Sequence, residues 1–207
     1  MTQALPKPIT YVDFLEWKPE NGRYELHNGV ILEMQPTGEH ELVRAFLISE
    51  LNFECRRLKI PYFIPAQVLV RPAEKDSGYV PDVLLVNRSN LVNEPLWKKS
   101  STVSQATSIP LVVEVVSTNW RDDYFLKFGE YEEIGIPEYW IVDYAALGGR
   151  RFIGNPKQPT ISIHVLVEGE YQVTQFRGND QLLSPTFPEL NLTAEQIFQA
   201  AFLEQEF

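Results

Sequence analysis

The sequence predicts an α/β fold built on a mixed central β-sheet flanked by helices. An apolar strand at 110–116, a helix from about 119 to 134 and a second apolar strand at 138–144 follow one another, as in a right-handed crossover between two strands of one sheet. Two alternating segments then flank Gly169 and predict a hairpin. We expect residues 1–207 to form a single domain, since one core suffices at this length.

The elements before the crossover follow from local signals. Thr10 suits the N-cap of a helix over 10–17, and Asn28-Gly29 inside RYELHNGVILEM is a strong turn signal for a hairpin. A long helix is predicted from about 39 to 59, where side chains recur at helical spacing. These side chains are Leu42, Phe46, Ser49 and Phe53.

The other elements complete a sheet covered by helices. Residues 88–108 are rich in Ser, Thr and Asn and predict a loop that could include a helical turn, whereas Thr193 suits the cap of a closing helix. Strands are predicted at 63–71, 82–87, 161–168 and 170–176, and the closing helix at 192–205.

Composition places the chain among ordinary globular proteins. Hydrophobic residues make up 44% and charged residues 22%, and no apolar run approaches the ~20 residues of a membrane helix. A single cysteine, Cys55, excludes an internal disulfide and a thiolate metal cluster. The N-terminus lacks a basic segment followed by an apolar one, so we expect a cytoplasmic protein.

The net charge of −10 disfavours non-specific electrostatic binding of nucleic acid, because Lys and Arg supply most of the non-specific affinity for phosphates. DNA binding has to overcome that charge. Basic residues cluster at three places, and solvated surface is the simpler interpretation of each. The clusters are Arg56, Arg57 and Lys59; Lys98 and Lys99; and Arg150 and Arg151.

Three charged residues stand where the local pattern favours apolar ones. Glu114 lies inside the buried strand IPLVVEVV, on a face shared with two valines. Asp82 follows Pro81 at the mouth of the strand VLLV, and Lys127 borders the apolar face of the next helix. Because an unpaired carboxylate is costly in an apolar interior, such groups survive only when paired, protonated or bound to a metal.

Taken singly, each of these charges has an ordinary explanation. Glu114 could pair with an arginine across the sheet, Asp82 could cap a turn, and Lys127 could extend its ammonium group to water. Taken together they suggest one site. Two adjacent carboxylates repel unless a cation neutralises them, and Mg²⁺ takes one or two carboxylates with water and phosphate oxygens. A lysine beside such an ion suits phosphodiester hydrolysis.

The same residues resemble a known family. Several segments are similar to the Uma family of restriction endonucleases: Pro81-Asp82, the EVVS segment that begins at Glu114, Lys127, Tyr131 and the run GIPEYWIVD. RYELHNGVILEM and SPTFPELNLTAEQIF resemble further family segments, so the likeness covers nearly the whole chain. It implies the restriction endonuclease-like fold of PD-(D/E)xK nucleases and a Mg²⁺- or Mn²⁺-dependent endonuclease that acts on DNA.

The resemblance implies roles for individual residues. Asp82 and Glu114 would hold the metal ion, with the backbone carbonyl of Val115 as a further ligand, and Lys127 would assist the attack of water. The general nuclease motif has its lysine two residues after the acidic one, where this chain has Val116. In the Uma family the lysine lies on the following helix, and Lys127 fills that place.

Glu25 and His40 are further site candidates drawn from the resemblance. Glu25 alternates with Tyr24 and Leu26, so it faces either the site or solvent. His40, near the start of the long helix, either contacts a phosphate or a water or is an exposed histidine.

Two alternatives concern the whole molecule. A catalytically inactive nuclease-like scaffold that binds a protein or nucleic acid partner would fit the acidic charge. A homodimer would supply a DNA groove in which two sites face opposite strands. Other catalytic patterns are absent from the sequence: it has no Gly-rich phosphate loop, Ser-His-Asp arrangement or HExxH, and His27 and His164 lack zinc-ligand spacing.

Overall fold

The computed structural model describes residues 8–19 and 21–202. Within these ranges, no helix combines the length and the apolar character needed to cross a bilayer. In chain order the helices and strands are α1 (Tyr11–Trp17), β1 (Tyr24–His27), β2 (Val30–Glu33), α2 (Gly38–Leu58), β3 (Tyr62–Phe63), β4 (Leu69–Val70), β5 (Val83–Asn87), α3 (Trp97–Ser100), β6 (Thr102–Val103), β7 (Leu111–Val115), α4 (Phe128–Ile134), β8 (Glu138–Asp143), α5 (Arg150–Ile153), β9 (Thr160–Val167), β10 (Glu170–Phe176) and α6 (Ala194–Gln199).

A six-stranded mixed sheet in the order β10-β9-β8-β7-β5-β3 forms the centre of the fold. Strands β7 and β8 are parallel and joined through α4, as the predicted crossover requires, and every other neighbouring pair is antiparallel. Strands β1 and β2 form the predicted hairpin, with Asn28 and Gly29 both at positive φ in its two-residue turn. The predicted α/β fold with a mixed central sheet is confirmed.

Alternation along β7 divides the core between the two faces of the sheet. Val113 and Val115 pack with one buried cluster, which α2 and α6 cover. Val112 packs with a second cluster, rich in aromatic side chains from the helix after β7. Glu114 alternates with these valines and therefore points to the second, aromatic face.

The long helix α2 forms where predicted but buries a different stripe from the one that the spacing suggested. Phe53 is 55% exposed, and Ser49 is also exposed. The buried apolar side chains are Val43, Leu47, Leu51 and Cys55, which repeat at i, i+4, i+8 and i+12. Two neighbouring apolar stripes run along this helix, and periodicity alone did not decide which one meets the sheet.

The helix that follows β7 contains a π-helical turn over Asp122–Lys127, directly before α4. Other differences from the predicted elements are smaller. The predicted strand 63–71 is two short pieces in separate sheets. The predicted loop 88–108 has short helical turns, as the sequence allowed, and also contains the unpredicted strand β6. The closing helix ends at Gln199, and the last part of its predicted range lies outside the described residues.

Candidate active site

A cleft of about 440 Å³ collects most of the residues that the sequence singled out. We refer to it below as the acidic cleft. Its lining includes His40, Asp82, Glu114, Val115 and Lys127. Glu25 is not part of the lining, but it lies directly behind Lys127.

Asp82 is fixed by donors on both carboxylate oxygens. The Val115 N–H donates to Oδ2 at 2.8 Å, and Nη2 of Arg23 lies 2.8 Å from Oδ1. Although burial raises the pKa of Asp82, the hydrogen bond from His40 and the positive charge of Arg23 hold that pKa well below its ordinary value. Asp82 is therefore an ionised carboxylate at the edge of the sheet.

The register of β5 and β7 explains why Asp82 and Glu114 are neighbours. Val83 pairs with Val113 in this antiparallel ladder. Extending the same register by one residue sets Asp82 opposite Glu114, and opposite residues in antiparallel strands project from the same face. Both carboxylates line the acidic cleft.

Lys127 is buried among three carboxylates and does not extend to water. Its side chain is 3% exposed, and Nζ lies 3.1 Å from Glu114 Oε1, 3.3 Å from Glu25 Oε1 and 3.7 Å from Asp123 Oδ1. Burial alone would lower the pKa of Lys127, but these carboxylates raise it well above the ordinary value. Lys127 remains a charged ammonium group aimed at Glu114.

Glu114, like Asp123, is a carboxyl group whose ionisation is opposed by its burial. It accepts a hydrogen bond from Tyr131 Oη at 2.8 Å on the oxygen that also faces Lys127. Burial, together with the negative charges of Asp82 and Glu25, raises the pKa of Glu114 to about 7 against the opposing effect of Lys127. Several carboxylates share one ammonium group here, so Lys127 is firmly protonated while Glu114 is not fully compensated.

Glu25 faces this site from β1 and is fully buried, so the solvent-facing alternative is wrong. Oε1 accepts the Val80 N–H at 2.9 Å, and Oε2 lies 2.7 Å from His27 Nε2. Burial opposes its ionisation, but Lys127 and the hydrogen bond from His27 lower its pKa below the ordinary value. Glu25 anchors Lys127 from behind.

His40 is 5% exposed and bridges two of the predicted ligand atoms, so it is not an exposed histidine. Its Nε2 lies 3.1 Å from Asp82 Oδ2 and 3.0 Å from the Val115 carbonyl oxygen. Burial lowers its pKa, but the hydrogen bond to Asp82 outweighs this effect and the net pKa is raised. One nitrogen atom contacts both oxygens, which shows that the carboxylate and the carbonyl face a common point.

Comparisons with known proteins agree with this fold. The Uma2 family, described as "Putative restriction endonuclease", matches residues 11–195. The chain belongs to the Uma2 family. Among solved structures, the crystal structure of a "putative nuclease belonging to DUF820" from Anabaena variabilis ATCC 29413 matches with a TM-score of 0.72 at 16% identity, over 94% of this chain and 100% of that one. No curated protein matches the chain.

Membership of Uma2 confirms the family that the sequence resembled, and the structural likeness confirms the fold. The family description supports a nuclease at the level of class. The structural similarity supports an inference about the fold alone, since only 16% of the residues are identical.

The donor set of this Uma2 site fits a hard divalent cation. Within residues 8–19 and 21–202, no three His, Cys, Asp or Glu side chains are grouped so that they could share a metal ion. Asp82, Glu114 and the Val115 carbonyl nevertheless offer oxygen ligands, and Mg²⁺ characteristically takes only one or two carboxylates. The four carboxyl groups of the cluster, on Glu25, Asp82, Glu114 and Asp123, outnumber the cationic groups on Arg23, His40 and Lys127. Burial raises the pKa of Glu114 to about 7 and that of Asp123 well above its ordinary value, so these two groups lack a compensating cation.

Three contributors to the Uma2 site were not predicted as site residues. Asp123 stands four residues before Lys127, a spacing that signals an ion pair on one helix face. Arg23 precedes Glu25 by two residues and so shares its face of β1, which was a usable signal once Glu25 was placed in the site. Tyr131 was among the residues that carry the family resemblance, but nothing in the sequence pattern marked its hydroxyl as a donor to Glu114.

Proposed function

We propose that this Uma2 protein is a divalent-cation-dependent endonuclease that hydrolyses phosphodiester bonds of DNA. The observation that supports it most strongly is the meeting of Asp82, Glu114 and Lys127 in one cleft, from three separate elements of the fold. Family membership supports the nuclease class. The metal, the substrate and the residue roles are our inference from the geometry.

Asp82, Glu114 and the carbonyl of Val115 would hold Mg²⁺ or Mn²⁺ in this proposal. Such an ion lowers the pKa of a bound water and neutralises charge that develops on phosphate oxygens. The Val115 N–H donates to Asp82, so that the strand presenting the carbonyl also orients the carboxylate. Tyr131 orients Glu114 in the same way from the helix side.

Lys127 would act as a fixed positive charge rather than as a base. Its raised pKa keeps the proton on Nζ, so the group can donate a hydrogen bond to the attacking water or to a phosphate oxygen. Glu25 and Asp123 hold the ammonium group in place. Arg23 and His40 line the same cleft and present cationic groups to an incoming phosphate.

We further propose that two copies associate, so that two clefts face opposite strands of a duplex, and that the protein acts in the cytoplasm. Sedimentation of the purified protein with and without a DNA duplex tests the first of these. A single-copy mass in both samples, together with cleavage of both strands, would contradict it.

The test of catalysis compares cleavage of supercoiled plasmid by wild type and Asp82→Asn in Mg²⁺ and in Mn²⁺. We expect Asp82→Asn to abolish nicking and also to abolish the heat of Mn²⁺ binding in titration calorimetry. Glu170→Gln is the matched control, because it makes the same change of acid to amide at an exposed position of β10. Cleavage that persists in Asp82→Asn would overturn the assignment.

A catalytically inactive scaffold is the second candidate, and one observation favours it. Both oxygens of Asp82 already have protein donors, from Arg23, His40 and Val115, in a chain with a net charge of −10. A scaffold would show neither nicking nor a binding heat for Mn²⁺ in the wild type. Binding heat without nicking would instead indicate a metal site that serves another substrate.

A further inference from the structure

A second cavity, of about 350 Å³, lies against the same helical segment as the acidic cleft. Asp123 and Lys127 point from that segment into the cleft, whereas side chains one position further round line the second cavity. We call this second site the aromatic cavity. Its lining includes Tyr124, Phe125, Phe128, Phe152, His164 and Tyr171, together with Ser162 and Arg151.

We propose that the aromatic cavity binds one unpaired base of a nucleic acid strand that runs through the acidic cleft. The proposal deepens the proposed nuclease function and rests on it for the class of the ligand. In this proposal the cavity recognises an unstacked base beside the cleaved bond. No residue of the candidate active site has that role.

The aromatic rings of the cavity are arranged as stacking surfaces rather than as a closed core. Tyr124 and Phe152 stack with ring centroids 4.4 Å apart and planes 25° apart. Phe125 meets Phe152 edge to face at 5.3 Å and remains 46% exposed. An accessible ring beside a stacked pair offers a π-face to a base, and such stacking contributes ~1–3 kcal/mol per base.

Two buried polar groups of β9 indicate a ligand with hydrogen-bonding edges rather than a purely apolar one. Ser162 and His164 lie two residues apart and thus on one face of the strand, with exposures of 2% and 6%. His164 donates from Nδ1 to the Tyr139 carbonyl at 3.2 Å. In the described part of the chain, neither its Nε2 nor the Ser162 hydroxyl has a hydrogen-bond partner, although both residues line the cavity.

These two groups form a complementary pair. Burial lowers the pKa of His164 to about 4, so the ring is neutral near pH 7 and Nε2 is an acceptor. The Ser162 hydroxyl can donate. The edges of nucleobases carry such donors and acceptors side by side, whereas an apolar guest would leave both protein groups unpaired at a cost of about 1–3 kcal/mol each.

The rim of the cavity supplies positive charge next to aromatic rings. The Arg151 guanidinium lies 4.4 Å from the Phe152 ring centroid and 4.7 Å from that of Phe125. Arg121 lies 4.6 Å from the ring centroid of Trp120, which in turn lies 6.3 Å from Phe125. Alternating arginine and aromatic side chains are typical of surfaces that hold single strands, where the cation meets the phosphate and the ring meets the base.

The two sites adjoin along one helical segment. Lys127 lines the cleft, and the next residue, Phe128, lines the aromatic cavity. Asn119 also lines the cleft, and Trp120 beside it contacts Phe152 of the cavity. In this proposal a strand with one phosphate in the cleft places a nearby base in the aromatic cavity.

The first experiment measures binding without catalysis, in EDTA. A short single-stranded DNA oligonucleotide carrying one 2-aminopurine is titrated with wild type and with Phe125→Ala. We expect quenching of the 2-aminopurine by wild type and about tenfold weaker binding by Phe125→Ala, as loss of one stacking ring implies. Phe53→Ala is the matched control, because Phe53 is 55% exposed on α2, and it should bind as wild type does.

The second experiment separates the base contact from the phosphate contact. The logarithm of the association constant for a single strand falls linearly with the logarithm of the salt concentration. The slope has a magnitude of about 0.7 for each phosphate that the protein neutralises. We expect Arg151→Gln to reduce that slope by about 0.7, whereas Phe125→Ala leaves it unchanged and lowers affinity at every salt concentration. Arg56→Gln, another exposed arginine, should change neither quantity.

Three outcomes would overturn the proposal: no binding of the single strand by wild type, equal binding by Phe125→Ala, or binding without quenching of the 2-aminopurine. None of them depends on cleavage, so the proposed function can fail or stand separately. A protein that quenches the probe through Phe125 but nicks no plasmid would keep the aromatic site and lose the catalytic one.

Discussion

The acidic cleft and the aromatic cavity bury ionisable groups to a similar extent but with opposite results. Lys127 is 3% exposed and remains charged, because three carboxylates surround its ammonium group. His164 is 6% exposed and remains neutral, because its neighbours are aromatic rings and the Tyr139 carbonyl. Burial opposes charge in both places, so the partners decide the protonation state.

One helical segment contributes side chains to both sites from neighbouring positions. Asp123 and Lys127 share the face toward the acidic cleft, and Tyr124 and Phe128 share the next face round, toward the aromatic cavity. The π-turn over Asp122–Lys127 lies where these faces diverge. Such turns are rare and concentrate at functional sites, which agrees with two adjoining sites on one helix.

The largest expected effect comes from removing the positive charge of the acidic cleft. In Lys127→Met, Glu25, Glu114 and Asp123 lose their shared partner in a buried setting. Breaking a buried ion pair on one side costs about 3–5 kcal/mol, so we expect the free energy of unfolding to fall by that amount. Urea denaturation at pH 7.5 measures it, and nicking of plasmid DNA should be lost as well.

Lys98→Met is the control for the lost lysine, since Lys98 is exposed. Its free energy of unfolding should match that of wild type. If Lys127→Met were equally stable, the carboxylates around Lys127 would not be ionised in the fold, and the contrast between the two sites would disappear.

The sequence predicted the parts of the acidic cleft that break a strong local pattern. Glu114 interrupts an aliphatic strand and Asp82 opens one, and both line the same cleft as Lys127. Antiparallel register then makes neighbours of residues that are far apart in the chain. Their roles in catalysis remain predictions.

Other features left weaker signals in the sequence or none. The spacing of Arg23 from Glu25 places both on one face, but the salt bridge between Arg23 and Asp82 is a tertiary contact that the sequence does not reveal. The π-turn is a wider helical turn within a segment whose periodicity Phe125 and Leu126 already blur. The aromatic cavity is lined by residues from the helical segment after β7 and from α5, β9 and β10. No single segment of the sequence therefore predicts it.

A second, smaller effect is expected from His164, the neutral histidine of the aromatic cavity. The pKa of His164 falls from 6.5 to about 4 on folding because the ring is buried. The unfolded chain therefore binds more protons between these values, and stability falls as the pH falls through that window. The shift implies that the free energy of unfolding falls by about 2 kcal/mol between pH 7 and pH 5. This loss is absent above the pKa of His164 in the unfolded chain.

His164→Gln isolates this contribution, because glutamine keeps a donor but does not titrate. The difference in free energy of unfolding between variant and wild type should move in favour of the variant by about 2 kcal/mol from pH 7 to pH 5. Tyr139 and Tyr171, whose rings contact His164, do not interfere, because burial raises the pKa of both well above this range. A constant difference across the range would mean that His164 is charged in the fold.

The smallest effect compares one hydrogen bond on each side of the helix. Tyr131 donates to the Glu114 carboxylate at 2.8 Å, and Tyr171 donates to the Ile136 carbonyl at 2.9 Å. Hydrogen bonds to charged groups contribute more than neutral ones, so we expect Tyr131→Phe to lose about 1.5 kcal/mol of stability and Tyr171→Phe about 1 kcal/mol. Tyr131→Phe should also slow nicking about tenfold, because it frees a carboxylate proposed to hold the ion. Equal losses of stability at pH 8.5, where Glu114 ionises most fully, would show that the hydroxyl of Tyr131 does not face a charged partner.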